Sequence, residues 1–153
     1  MKLNFKKAIL NFVYAFVLVT ILTFSSSFVA TVVFKLPSYK ELGVSPFQDP
    51  TFIMTVPYHL LINLLCWTFF SFLYLKVKKN EKDYISLKEA SYLGIFWLVM
   101  AMIVDFISFV LIKSPMSFTP YQFYIENQPW ISIMYFIVLV SPVISYGFLR
   151  LKR

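Results

Sequence analysis

Asp105 and His59 are ionisable side chains set inside otherwise apolar stretches of this chain. A carboxylate and an imidazole can divide acid and base roles between them when their surroundings separate their pKa values. The same groups can line a binding or proton-coupling site, because ionisable residues at membrane depth mark such routes. They can also do no more than hold helices together, at around 0.6 kcal/mol per interhelical hydrogen bond. Asn63 follows His59 by four residues, on the same helical face, and Cys66 by seven. Ser27, Ser108 and Ser141, with Thr20, Thr23, Thr31 and Ser145, are further polar groups available to a cluster around them.

What the chain lacks narrows the chemistry. No second acidic residue stands in an apolar stretch, so a paired-aspartate site requires Asp49 or Glu126 to dip inward. There is no Gly-x-Ser-x-Gly elbow for a serine hydrolase. One histidine and one cysteine give no zinc set. Gly43, Gly94 and Gly147 are the only glycines, too few for a phosphate-cradling loop or an ion filter. The lone Cys66 excludes an intrachain disulfide and paired-thiol redox chemistry. No cofactor and no metal are expected.

The elements that must position these residues are membrane spans. The 153 residues are 59% apolar, 20% aromatic and 14% charged, with mean hydropathy +0.75. A soluble domain carries about 25% charged residues. Uninterrupted apolar stretches run over about 8–34, 52–75, 90–112 and 131–149. Each is long enough to cross a hydrocarbon core of about 30 Å as a helix, and a lipid-exposed backbone must satisfy its own hydrogen bonds. The expected fold is therefore an all-α integral membrane protein, one domain of four transmembrane helices. The first stretch has the basic start and Ser25-Ser26-Ser27 cluster of a signal peptide. Its apolar character resumes through Phe34, far beyond a signal-peptide core, so we expect it to be retained as a span.

Charge decides the threading. Eleven of the fourteen Lys and Arg residues fall at the two ends and in the middle connection, against Lys35, Lys40 and Lys113 elsewhere. Both termini and the central loop are expected in the cytoplasm. The net charge of +7 is thus a membrane-orientation signal, and no nucleic-acid partner is expected. Twelve Lys against two Arg, with few Gly and Ala, resembles the composition of an AT-rich bacterial genome, which points to a bacterial plasma membrane.

The two halves share an order of features. Lys35-Leu36-Pro37, Ser45-Pro46-Phe47-Gln48 and Phe72-Leu73-Tyr74-Leu75-Lys76 are matched by Lys113-Ser114-Pro115, Thr119-Pro120-Tyr121-Gln122 and Phe148-Leu149-Arg150-Leu151-Lys152. The offsets are 78, 74 and 76 residues, which suggests tandem helical hairpins, 1–76 and 77–153, related by a pseudo-twofold axis. Each Ser/Thr-Pro-aromatic-Gln tetrapeptide has the form of a capping box and predicts a short helix in each outer loop. In the second loop Gln122, Tyr124, Glu126 and Trp130 belong to an aromatic segment expected at the outer interface.

Counted inward at 1.5 Å per residue, Asp105 and His59 both lie about 11 Å below the outer ends of their spans. A carboxylate at that depth must be protonated, paired or watered, so Asp105 is expected to face the bundle interior. The leading functional expectation is a non-enzymatic membrane protein acting by association with another membrane component, as an accessory subunit or in protection against an external toxin. A small transporter or lipid-handling protein using an outer-half polar cavity around Asp105 and His59 is the alternative, and a membrane-embedded enzyme the third. Besides the bilayer, another membrane protein or a second copy is a candidate partner. The Ser141 and Ser145 pair offers a small-residue face for such packing.

Overall fold

The computed structural model describes residues 3–80, 86–113 and 117–151. Ser114, Pro115, Glu81, Lys82 and Asp83 in the connections, and Lys2, Lys152 and Arg153 at the ends, lie outside the described residues. Among the described residues there are four helices long and apolar enough to cross a membrane.

The first helix, Phe5–Phe34, starts where the Asn4 side chain accepts a hydrogen bond from the Lys7 N–H, which satisfies one of the orphan donors of a helix start. It runs unbroken through Ser25–Ser27 and stops at Lys35, whose φ of 50° turns the chain out of the helix. The second helix, Pro50–Asn80, is capped by Asp49, whose Oδ1 accepts from the Thr51 N–H at 2.8 Å, with Pro50 in the first turn. The third begins at Leu87 behind a Ser86 cap and is α-helical to Asp105. From Phe106 to Leu111 it widens to π winding. The fourth, Trp130–Leu151, carries a buried Pro142 and remains continuous across it. Pro57, inside the second helix, is accommodated in the same way.

The first helix packs on the second, the second on the fourth, and the fourth on the third. The first and third touch only lightly. What contact they make sits at the end of the bundle that carries Asn4 and Leu149, here the terminus end. There Trp97 Nε1 donates to the Ala8 carbonyl at 3.0 Å, and Phe5 meets Phe96 edge-on. The same end holds the core, in which Ala8, Phe12 and Ala15 pack among Trp67, Leu93 and Trp97. Phe12, Trp67 and Trp97 form a continuous aromatic layer, with centroids 5.5 and 5.6 Å apart. Long rows of large apolar side chains, among them Val13, Val17, Ile21, Phe28 and Val32 on the first helix, point outward, as lipid contact requires.

The capping boxes of the two loops at the end of the bundle opposite the termini differ. At Thr119 both reciprocal bonds form: the Thr119 N–H donates to Gln122 Oε1 at 2.9 Å, and the Gln122 N–H to Thr119 Oγ1 at 3.2 Å. At Ser45 the expected side-chain cap does not form, and the following Pro46–Gln48 is a single 3-10 turn. The Ser45 hydroxyl donates instead to Glu126 of the other loop, a charge-assisted bond that outcompetes a local cap. Glu89 was not among the intramembrane acids read from sequence, because it precedes the apolar stretch. It is nonetheless buried in the first turn of the third helix.

Candidate functional site

Away from the terminus end, the light contact between the first and third helices leaves a space. A cavity of about 270 Å³ lies there, bounded by all four helices and by residues of both loops opposite the termini. Asp105, His59, Asn63 and Ser27 all line it.

On the second helix a stripe recurs every four residues, Thr51, Thr55, His59, Asn63 and Trp67, and every member is buried. Its part nearer those loops forms a polar seam with the first helix. Ser27 Oγ lies 3.1 Å from His59 Nε2 and 3.4 Å from Thr55 Oγ1, and Thr31 Oγ1 donates to Thr51 Oγ1 at 3.3 Å. Below it Asn63 Nδ2 donates to the His59 carbonyl at 2.9 Å, and Trp67 Nε1 to Asn63 Oδ1 at 3.1 Å. These bonds orient the imidazole and the amide and fix the aromatic floor of the cavity.

Asp105 stands on the opposite wall. Tyr135, on the fourth helix, donates its hydroxyl to Asp105 Oδ2 at 3.1 Å. Tyr124, in the loop before the fourth helix, is close enough that burial and the Asp105 charge push its phenol above the usual tyrosine range. No hydrogen bond joins His59 to Asp105 among the described residues, so the two line one space without forming an acid–base pair. No three His, Cys, Asp or Glu side chains among the described residues converge as a metal site.

The roof is aromatic and comes from both loops. After the third helix the chain folds back, with the Phe118 N–H on the Phe109 carbonyl at 2.7 Å. Phe109 stacks on Phe123 at 5.7 Å, and Phe47 of the first loop meets Phe118 at 4.9 Å. The segment expected to lie in the interface is thus split: Tyr121 and Ile125 are exposed, while Phe123 is buried over the cavity. Asn127 is only 5% exposed and also lines the cavity, and its Oδ1 has no hydrogen-bond partner among the described residues.

Other expected residues fall elsewhere. Ser141 is not in the cavity lining; it belongs to a buried seam nearer the terminus end, where Ser71 Oγ lies 2.6 Å from Ser145 Oγ and donates to the Ser141 carbonyl at 3.3 Å. Ser108 is also outside the lining. The π turn explains this, because bonding five residues apart, as in Ile112 N–H to the Ile107 carbonyl, advances each residue less around the axis. Ser108 is carried off the Asp105 face while Phe109 stays on it. Gln122 serves the loop cap, Glu126 ties the loops together, and Trp130 opens the fourth helix.

Thr51, Thr55, Tyr135 and Asn127 were not singled out from sequence. The four-residue spacing back from His59 was the signal for the two threonines. Tyr135 was marked by depth: counted from Trp130 and from Leu111, it and Asp105 come out within about 2 Å of the same level. Comparison with protein-family models, with curated proteins and with solved structures finds no match for this chain.

Proposed function

We propose that this chain is a small multi-pass protein of a bacterial plasma membrane that takes an amphiphilic ligand into the cavity, acting as a transporter or lipid-handling protein. The observation that carries this reading is the gathering of Asp105, His59, Asn63 and Ser27, from three helices, around one aromatic-walled space. A mostly apolar hollow with a few fixed polar groups is the usual character of a small-molecule site. The Lys and Arg asymmetry puts both termini and the central loop in the cytoplasm, so the cavity opens in the outer half of the bilayer. A tandem duplication of a hairpin is part of the same proposal. The first helix packs on the second as the third does on the fourth, the pairing that two parallel repeats would produce.

Association with another membrane component, as an accessory subunit or toxin-protection protein, is the second reading, favoured by the exposed Tyr121 and Ile125 of the second outer loop. It ranks below the first because Phe123, part of that aromatic segment, turns inward over the cavity together with Phe47 and Phe118. Catalysis ranks third, since His59 and Asp105 are held by separate partners.

The test uses purified protein in nanodiscs with Trp130→Phe, so that the emission comes from Trp67 on the cavity wall and from Trp97 packed against it. A brominated ten-carbon alcohol is expected to quench this emission saturably. Ala101→Leu and Val138→Phe, which add bulk to the lining, should abolish the saturable part while the protein stays monodisperse. Quenching that rises linearly, and equally in all three proteins, would refute a ligand site.

A further inference from the structure

We infer that the cavity selects an amphiphile with a cationic, N–H-bearing head group, an alkylammonium, held between Asp105 and Asn127. This rests on the cavity being a ligand site, and it assigns the chemistry of what that site takes.

Charge is the first ground. Among the described residues Asp105 accepts one hydrogen bond, from Tyr135, and no Lys or Arg lines the cavity. A phosphate or carboxylate head would meet a carboxylate with no cation beside it. An ammonium supplies the counter-charge that the wall lacks, and a charge-assisted hydrogen bond is about twice as strong as a neutral one.

Asn127 is the second and independent ground. Its Oδ1 is a buried acceptor without a partner among the described residues, on a residue 5% exposed. Native interiors rarely leave such an atom unpaired, and a donor from a ligand removes the penalty. A primary alkylammonium carries three N–H donors, and Asn127 and Asp105 line the same cavity. Phe109, Phe118 and Phe123, packed ring against ring, line the same space and offer an apolar surface to the carbons next to the head group. The alkyl chain has a way out between the first and third helices, which barely touch there.

Competition against the brominated alcohol tests the inference in the same nanodiscs, made of zwitterionic lipid. Decylamine, decanol and decanoate share one chain and differ in the head. Decylamine is expected to displace the probe at about a tenfold lower concentration than decanol, with decanoate the weakest. Asp105→Asn, which keeps an acceptor for Tyr135, should bring decylamine to the level of decanol, and Asp105→Glu should retain the preference. Asn127→Ala should weaken decylamine but not decyltrimethylammonium, which has no N–H. Equal displacement by amine and alcohol, a preference for decanoate, or a preference for amine that survives Asp105→Asn would overturn the inference while leaving the cavity a ligand site. Absence of saturable quenching by the probe itself would remove both.

Discussion

Gly94→Ala should loosen the contact between the third and fourth helices, and the size of the effect follows from one distance. A Cβ built on Gly94 would lie 2.1 Å from the backbone oxygen of Leu139 and 3.1 Å from its carbonyl carbon. The obstacle is main chain, so no rotamer change can clear it. Restoring ordinary contact moves the two helices apart by about 1 Å along most of a turn, against neighbours such as Leu93 and Trp97 that are already fully buried. Overpacking of this kind costs about 1–3 kcal/mol, and the rigid obstacle places Gly94→Ala at the upper end. Gly147 is the internal control, because its Cβ would meet nothing within 4 Å. There alanine's better helix propensity alone acts, and Gly147→Ala should stabilise by about 0.5–1 kcal/mol. The assay is reversible unfolding in mixed micelles, read by helical circular dichroism, for both variants against wild type. Opposite signs are expected. If Gly94→Ala proves neutral or stabilising like Gly147→Ala, the close approach of these helices is wrong, and with it the placement of Asp105 beside Tyr135 further along the same interface.

Two further outcomes follow from the fold. Ser71 and Ser145 form a buried interhelical pair, so a double-mutant cycle of Ser71→Ala and Ser145→Ala should give a coupling of about 0.6–1.7 kcal/mol in the same unfolding assay; additive losses would mean that the hydroxyls act separately. The threading is tested by thiol labelling in intact cells with a membrane-impermeant maleimide. Native Cys66, buried between helices, should stay unlabelled, Val44→Cys should react from outside, and Lys76→Cys should react only after permeabilisation; the reverse pattern would invert the proposed orientation.

The spans were legible because bilayer thickness imposes length and apolarity on any crossing helix, and four stretches met both conditions. Their ends were less so. The second helix begins at Pro50 because Asp49 caps it, and the first at Phe5 because Asn4 does, which are local bonds rather than hydropathy. Asp105, His59, Asn63 and Ser27 could be grouped from depth and helical spacing alone, and they line one cavity. Ser141 could not be separated from them, since period and depth do not say which neighbouring helix a face meets. Ser108 was misplaced by assuming uniform α winding, and a π turn leaves no simple mark in the residue pattern. Phe123 was read as part of an interfacial belt because an aromatic residue has the same hydropathy whether it faces headgroups or a roof. The direction was set by the fold-back of Phe118 onto Phe109, a tertiary contact.

Why a hollow persists in so small a bundle follows from how side chains change along the first helix. Near the terminus end Ala8 and Ala15 are small and fully buried, and the indole of Trp97 reaches the Ala8 carbonyl, so the bundle closes. Beyond Phe16 the helix presents Thr20 and Thr23, whose hydroxyls are satisfied by their own backbone, on the Phe16 and Val19 carbonyls at 2.8 and 2.9 Å. These groups ask nothing of the third helix, so no polar debt draws the two together. The opposite wall is held by Tyr135 on Asp105, and the roof by Ser45 on Glu126. With both ends and both side walls fixed by bonds that do not cross the gap, the space survives without strain, and a ligand can enter it without breaking a contact between helices. Under the proposed function the cost of binding falls on ordering the ligand and desolvating its head group rather than on separating helices, which is the condition under which a few polar groups at the wall can decide what is bound.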